Sequence, residues 1–243
     1  MDTVTKHFAL FLCCCLVLLP ELAWASSKMQ VSSELTTLYR AARKVISDNQ
    51  GHINKPDIGE KGLSGDAVIK AALENYRKAT GTSLSLGSLT TAQQGMVDAV
   101  KQVMDENQDL INEQGVGFKG FLPAIFARQV ANKFNANMNG TMSIKLTAPK
   151  KYVRNRANRP DKWEHNIIET MFSAANYEKG KAFAEQATVK GRSAYRFILP
   201  EYYGPSCLSC HGEPKGERDI TGGKKEGGKL DELGGAISLI IYE

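Results

Sequence analysis

From Ser32 to about Asn54 the apolar residues Leu35, Leu38, Ala42, Val45, Ile46 and Ile53 recur at helical spacing, which predicts a helix with one buried stripe. A loop carrying Pro56, Gly59, Gly62 and Gly65 ends it, and DAVIKAALENYRKATG reads as a second helix closed by Gly81. A third helix is predicted from about Thr91 to Asn112, with Met96, Val100, Val103 and Ile111 on one side. A fourth starts at Phe121, with Pro123 in the first turn where its missing N–H costs nothing, and Phe126, Val130 and Phe134 follow on one face.

The four helices read as one unit written twice. VISDNQGHINKPDIGEKGL (Val45 to Leu63) lies on VMDENQDLINEQGVGFKGF (Val103 to Phe121) without a gap, matching Val, Asn-Gln, Ile-Asn, Gly and Lys-Gly. A duplicated helix–loop–helix follows, hence two helical hairpins packed on each other or on a partner subunit. Asn49 and Asn107 hold equivalent places and are read as helix-end or loop hydrogen-bonders.

After Gly140 the period changes. TMSIKLTAPKKYV and RSAYRFILP alternate like half-buried strands, and GAISLIIYE is a third, more fully buried one. Between the first two, Lys162 to Tyr177 reads as a helix with Ile167, Ile168, Met171 and Phe172 inward. The expected class is α+β: residues 26–140 as helical hairpins, and residues 141–243 as an antiparallel sheet with a helix across it. Gly212 to Gly235, rich in Gly, Lys and Glu, reads as a mobile surface loop.

Residues 1–25 decide which chemistry is open. KHFALFLCCCLVLLPELAWA has a basic start, an apolar run from Phe8 to Leu19 and the small-x-small site Ala23-Trp24-Ala25, the pattern of a secretory signal peptide cut after Ala25. The run is shorter than the roughly 20 residues that span a bilayer, so no stable membrane insertion is expected after cleavage. The expected location is periplasmic or otherwise exported. Cleavage reduces five cysteines to two, Cys207 and Cys210. The formal charge of +5 is mild, and its basic residues are dispersed except around Lys150 to Lys162, so nucleic acid is not an expected partner.

Both remaining cysteines lie in SCLSCHGEP, Ser206 to Pro214. Cys-x-x-Cys-His fits three chemistries. Two thiols can add to the vinyl groups of one haem while the adjacent imidazole reaches its iron from the same side. The pair can instead be a thiol–disulfide site, which is normally found at a helix start after a strand. A structural zinc site wants four N/S ligands, and only His52 and His165 remain to complete it, both far away in sequence.

The surroundings of this motif resemble a family of periplasmic c-type haem domains with a PAS-like fold, often the sensing part of bacterial signalling proteins. The resemblance rests on GFKGFLPAIFARQVANKF, SIKLTAPKKYVRNRANRPDKWE, YRFILPEYYGPSCLSCHG and the closing GGAISLII, and it covers roughly the whole mature chain. It is most specific where Arg-Asn-x-x-Asn-x-Pro-Asp-x-Trp-Glu precedes the Cys-x-x-Cys-His. It implies one haem c held covalently by Cys207 and Cys210, with His211 as proximal ligand, and a role in sensing redox state or small gases or in electron transfer. Some members use a cysteine from elsewhere in the chain as second axial ligand, and the mature form here has none to spare.

For the sixth position of the iron, His165 is the first candidate, set against a plain helix histidine. His52, Met138, Met142 and Met171 are weaker ones, and an open site is a further alternative. Arg154, Arg156 and Arg159 are candidates to pair with haem propionates, set against a solvated basic loop. Trp163 reads as a core anchor, and Tyr202 and Tyr203 as either haem-edge or core residues. No nucleophilic triad, phosphate loop or zinc-protease helix is present, and a non-enzymatic role is expected. The reading is an exported monohaem sensory or binding module, with a periplasmic electron-transfer cytochrome c as the alternative. The expected partner is a small gas or a redox partner protein, with a homodimer also considered.

Overall fold

The computed structural model describes the backbone of residues 19–243 and side chains from Ser27 onward; most of the predicted leader lies outside the described residues. Helix α1 (Leu19–Asp48) is followed by the short α2 (Gln50–Ile53), α3 (Gly65–Thr80), α4 (Thr91–Glu106), α5 (Gln108–Asn112) and α6 (Pro123–Asn137). Local chemistry sets their ends. The Ser64 hydroxyl accepts from the Ala67 N–H at the start of α3, Thr90 and Gln93 form a reciprocal capping box on α4, and Gly81 ends α3 at a φ of +73°.

The predicted first and third helices are each broken once, at Asn49 and Asn107. Both side-chain amides turn back to donate to a carbonyl four residues earlier, Val45 at 2.8 Å and Val103 at 2.7 Å. That bond competes with helix propagation and ends the helix at the same place in each unit.

The two units are tied by reciprocal hydrogen bonds. Lys61 N–H donates to Asn112 Oδ1 (2.9 Å) and Lys119 N–H to Asn54 Oδ1 (3.2 Å). Gln50 Nε2 donates to the Phe121 carbonyl (3.2 Å) and Gln108 Nε2 to the Leu63 carbonyl (3.0 Å). Within each loop the buried lysine donates from Nζ to two carbonyls, those of Lys55 and Ile58 for Lys61 and those of Glu113 and Val116 for Lys119. The repeat seen in the sequence is thus a pseudo-two-fold pair.

Strands β1 (Met142–Thr147), β2 (Phe183–Val189), β3 (Arg192–Tyr202) and β4 (Leu233–Tyr242) form an antiparallel sheet in the order β1-β4-β3-β2. The chain is therefore α+β. One sheet face, with Ile144, Leu146, Tyr195, Phe197, Leu199, Ile237 and Leu239, shares a continuous core with the helices, so α1 and α6 pack directly on the strands. The other face carries Ile198 and Ala236 under α7 (Lys162–Asn166) and its π-helical continuation Ile167–Phe172, which buries Ile167, Ile168 and Phe172 there.

Strand β2 was not expected. It is an edge strand reading FAEQATV, joined to β3 through Lys190 and Gly191, both at positive φ (52° and 79°) as a two-residue hairpin turn requires. Its alanines and exposed polar positions give too weak an alternation to separate strand from loop.

Candidate functional site

Strand β3 delivers the motif. After Tyr202 the chain passes Tyr203 and Gly204 into a 3₁₀ turn, Pro205–Cys207, which runs directly into α8 (Leu208–His211). Cys207 and Cys210 are therefore one helical turn apart and His211 is four residues from Cys207, so the two thiols and the imidazole share a face. All three residues are half-buried, and both thiols are free. Gly212 follows because a Cβ there would stand 2.5 Å from the Leu208 carbonyl oxygen.

The segment read as a surface loop is a loop in the structure, and it is hydrogen-bonded to this turn. Backbone hydrogen bonds run from Gly216 N–H to Lys225 O (2.8 Å), Lys225 N–H to Glu217 O (2.8 Å), Gly227 N–H to Gly212 O (3.1 Å) and Gly228 N–H to His211 O (2.7 Å). Glycine is needed where the strap meets Tyr203: a Cβ at Gly228 or at Gly234 would stand 2.5 Å from a ring carbon. In that slot Tyr203 stacks on the His211 imidazole, 5.3 Å between centroids at 19°. Burial, with the Glu226 charge nearby, pushes the Tyr203 phenol well above its ordinary value.

The strap brings Glu226 to His211, with Oε2 at 2.9 Å from Nδ1. An ionised carboxylate can only accept, so Nδ1 is the donor in this bond and Nε2 is the ring nitrogen left for another partner. Arg154 donates to both oxygens of the same carboxylate, and also to Asp219, the Cys210 carbonyl (2.5 Å) and the Lys224 carbonyl (3.0 Å). Burial works against the Arg154 charge, but Glu226 and Asp219 outweigh it and hold its pKa above the usual guanidinium value. Burial raises Asp219, but hydrogen bonds from Thr221 and Arg154 overcome this and bring it down to about 2.

Helix α1 reaches the site from the other side. Arg40 and Arg43 both bond to the Glu201 carboxylate, and Ser47 Oγ lies 3.0 Å from Ser206 Oγ, directly before Cys207. Arg43 is raised above its ordinary pKa: burial opposes this, while Glu201 and the neighbouring Tyr39 and Cys207 favour the charged form.

Of the sequence-predicted residues, Cys207, Cys210, His211 and Arg154 are brought together. Arg156 and Arg159 are exposed, and no hydrogen bond or ion pair joins either guanidinium to the Cys207–His211 turn. His165 lies on α7 with Nδ1 3.8 Å from Glu169, and no contact links it to the turn. His52 bonds instead to the Lys61 carbonyl in the first repeat (3.1 Å). Glu226, Arg43 and Glu201 were missed because partners 15 to 161 residues away leave no local spacing to read.

The motif that precedes the site has a structural role. Asp161 and Glu164 form a capping box on α7, and both carboxylates reach Arg196, at 2.6 and 3.5 Å. Lys145 Nζ lies 2.8 Å from Glu164, and the Arg196 guanidinium sits over the Trp163 ring at 4.1 Å. Pro-Asp-x-Trp-Glu thus docks α7 onto the sheet.

Among the described residues no three His, Cys, Asp or Glu side chains converge as a metal site, so zinc lacks its ligands here. Two free thiols and one imidazole nitrogen on a single turn, with the other ring nitrogen already partnered, is a donor set that suits a haem attached through thioethers. Fold and site together define an α+β protein with a Cys-x-x-Cys-His turn carried at the end of a sheet strand. The chain belongs to the Tll0287-like family, whose model matches residues 34–241 and so takes in both the helical pair and the sheet. No curated protein and no solved structure matches it.

Proposed function

We propose that this is an exported monohaem c-type haem protein with a PAS-like sheet region, acting as a redox- or gas-responsive sensory or binding module. The observation that supports this reading is the placement of Cys207, Cys210 and His211 on one helical face with Nδ1 of His211 taken by Glu226. Each thiol would add across a vinyl group, its S–C bond forming as its hydrogen passes to the other vinyl carbon. His211 Nε2 would be the proximal ligand. When bound, the haem supplies one-electron redox chemistry and an iron able to take a gas.

The chain's own residues then have assigned tasks. Tyr203 and Glu226 hold the imidazole plane and Arg154 fixes Glu226; Arg156 and Arg159 would be the cations offered to propionates, and His165 would be the candidate sixth ligand to test. The clamp of α1 on Glu201 and Ser206 gives a change at the iron a path to the duplicated helices. A small gas or a redox protein is the proposed partner, acting on a monomer or a homodimer. No turnover chemistry is assigned. The second reading, an electron carrier, is favoured by the half-exposure of Cys207, Cys210 and His211, which would leave a haem edge near solvent.

The test is the optical spectrum of protein matured in a host that attaches c-type haem, oxidised and reduced, with and without CO. A CO-responsive spectrum supports the sensory reading. A low-spin spectrum indifferent to CO supports the carrier, with His165→Ala as the next variant. Covalent haem surviving in a Cys207→Ala/Cys210→Ala double variant overturns both.

A further inference from the structure

We propose that Glu226 is the positioning residue of His211: its carboxylate fixes the Nδ1–H tautomer and, through that bond, lowers the reduction potential of an iron bound at Nε2. The inference rests on the haem reading above.

Glu226 is 15 positions beyond His211, in a stretch whose composition suggests nothing but loop. Its position is set by the strap, which is pinned on both sides of it. Lys225 N–H bonds back to Glu217, and Gly227 and Gly228 N–H bond to Gly212 and His211. The side chain cannot swing away, because Arg154 grips it through Nε and Nη2, the latter 3.0 Å from Oε2. The Glu226 side chain is 12% exposed, so the bond to His211 operates in a medium less polar than water.

A carboxylate that accepts from the far nitrogen of a ligating imidazole fixes its tautomer and raises its basicity. A more basic ligand favours ferric over ferrous iron, so the potential falls. Stacked Tyr203 sets the ring plane, and Glu226 sets rotation within it. Arg154 draws on the same carboxylate and moderates the effect.

Two measurements test this. In haem-loaded protein, Glu226→Gln, which keeps the shape but removes the charge, is expected to raise the reduction potential. Glu232→Gln removes a carboxylate charge that serves Tyr152 instead of His211, and a clearly smaller rise is expected. Equal shifts in the two variants would mean that charge alone acts, and, like the absence of any shift in Glu226→Gln, would overturn the proposal. In the full-length chain without haem, ¹⁵N NMR at pH 8 is expected to find His211 as the Nδ1–H tautomer in wild type and as a mixture in Glu226→Gln. An Nε2–H tautomer in wild type overturns the positioning role. Wild-type protein that acquires no haem overturns the functional reading and the role toward iron, whatever the tautomer.

Discussion

The ring of Tyr203 lies on the imidazole of His211 because the backbone at Gly228 and Gly234 leaves room for nothing larger than hydrogen. Gly228→Ala and Gly234→Ala place a Cβ 2.5 Å from the ring and force Tyr203 to move. Overpacking of this kind costs about 1–3 kcal/mol, to be read as a lower urea midpoint. Tyr203→Phe keeps the stack and is expected to change stability by less than about 0.5 kcal/mol. A large loss in the phenylalanine variant would show that the hydroxyl, not the ring, holds the slot.

Arg154 and Asp219 make the strap sensitive to acid. Asp219 titrates at about 2 in the folded chain, below the ordinary aspartate value near ~3.9. A carboxyl depressed by folding contributes stability that is complete above the unfolded value and lost as pH falls through the folded one. The contribution should therefore be intact above about pH 5, fall as pH drops, and be gone near about pH 1. Asp219→Asn should lower the unfolding midpoint at about pH 5 and converge on wild type near about pH 1. Glu243 is also depressed to about 2, by Lys28 and Ser193, and is unchanged in the variant, so the difference isolates Asp219. A constant gap between the two proteins at all pH values would contradict the assignment.

Much of this architecture could be read from residue patterns, and the failures have physical causes. The four helices were legible because their buried stripes are local, and the repeat because loops that exchange hydrogen bonds must keep Asn, Lys and Gly in register. Cys207, Cys210 and His211 are local as well. The strap was legible as a surface loop, because glycine, lysine and glutamate are loop residues by propensity, but its position over the motif was not. What ties it down is Arg154 from another element and the close packing of Gly228 on Tyr203, neither visible in its own composition. The Pro-Asp-x-Trp-Glu run was legible as a motif but not as a cap, since its partner Arg196 is 35 residues away from Asp161.

Arg196 is 5% exposed and answers two carboxylates and an indole at once. Arg196→Met keeps the length and apolar bulk but leaves the buried Glu164 with Lys145 as its one remaining cationic partner, beside the Asp161 N–H of the capping box. Removing one partner of a buried ion pair costs about 3–5 kcal/mol, and guanidinium denaturation should show it. A Trp163→Phe variant should lose about 0.5–2 kcal/mol, from a weaker contact with the Arg196 cation together with the lost indole N–H bond to Glu185. A methionine variant as stable as wild type would mean that α7 docks through Ile167, Ile168 and Phe172 without the charges.

Glu201 is the hinge between the helical pair and the motif. It is the one acid of β3, and both Arg40 and Arg43 converge on it from α1, while Ser47 meets Ser206 just beyond. Glu201→Ala leaves Arg43, whose side chain is still 25% exposed, without its counter-charge beside Cys207, and a loss smaller than the roughly 3–5 kcal/mol of a fully buried pair is expected. Glu201→Gln retains hydrogen-bond acceptance and should lose less. The informative readout is local: amide hydrogen exchange over residues 204–212 should accelerate more than exchange in β4, because α1 restrains the turn that carries both thiols. If exchange rises uniformly across the sheet, Glu201 supports global stability only, and the mechanical link between α1 and the Cys-x-x-Cys-His turn does not hold.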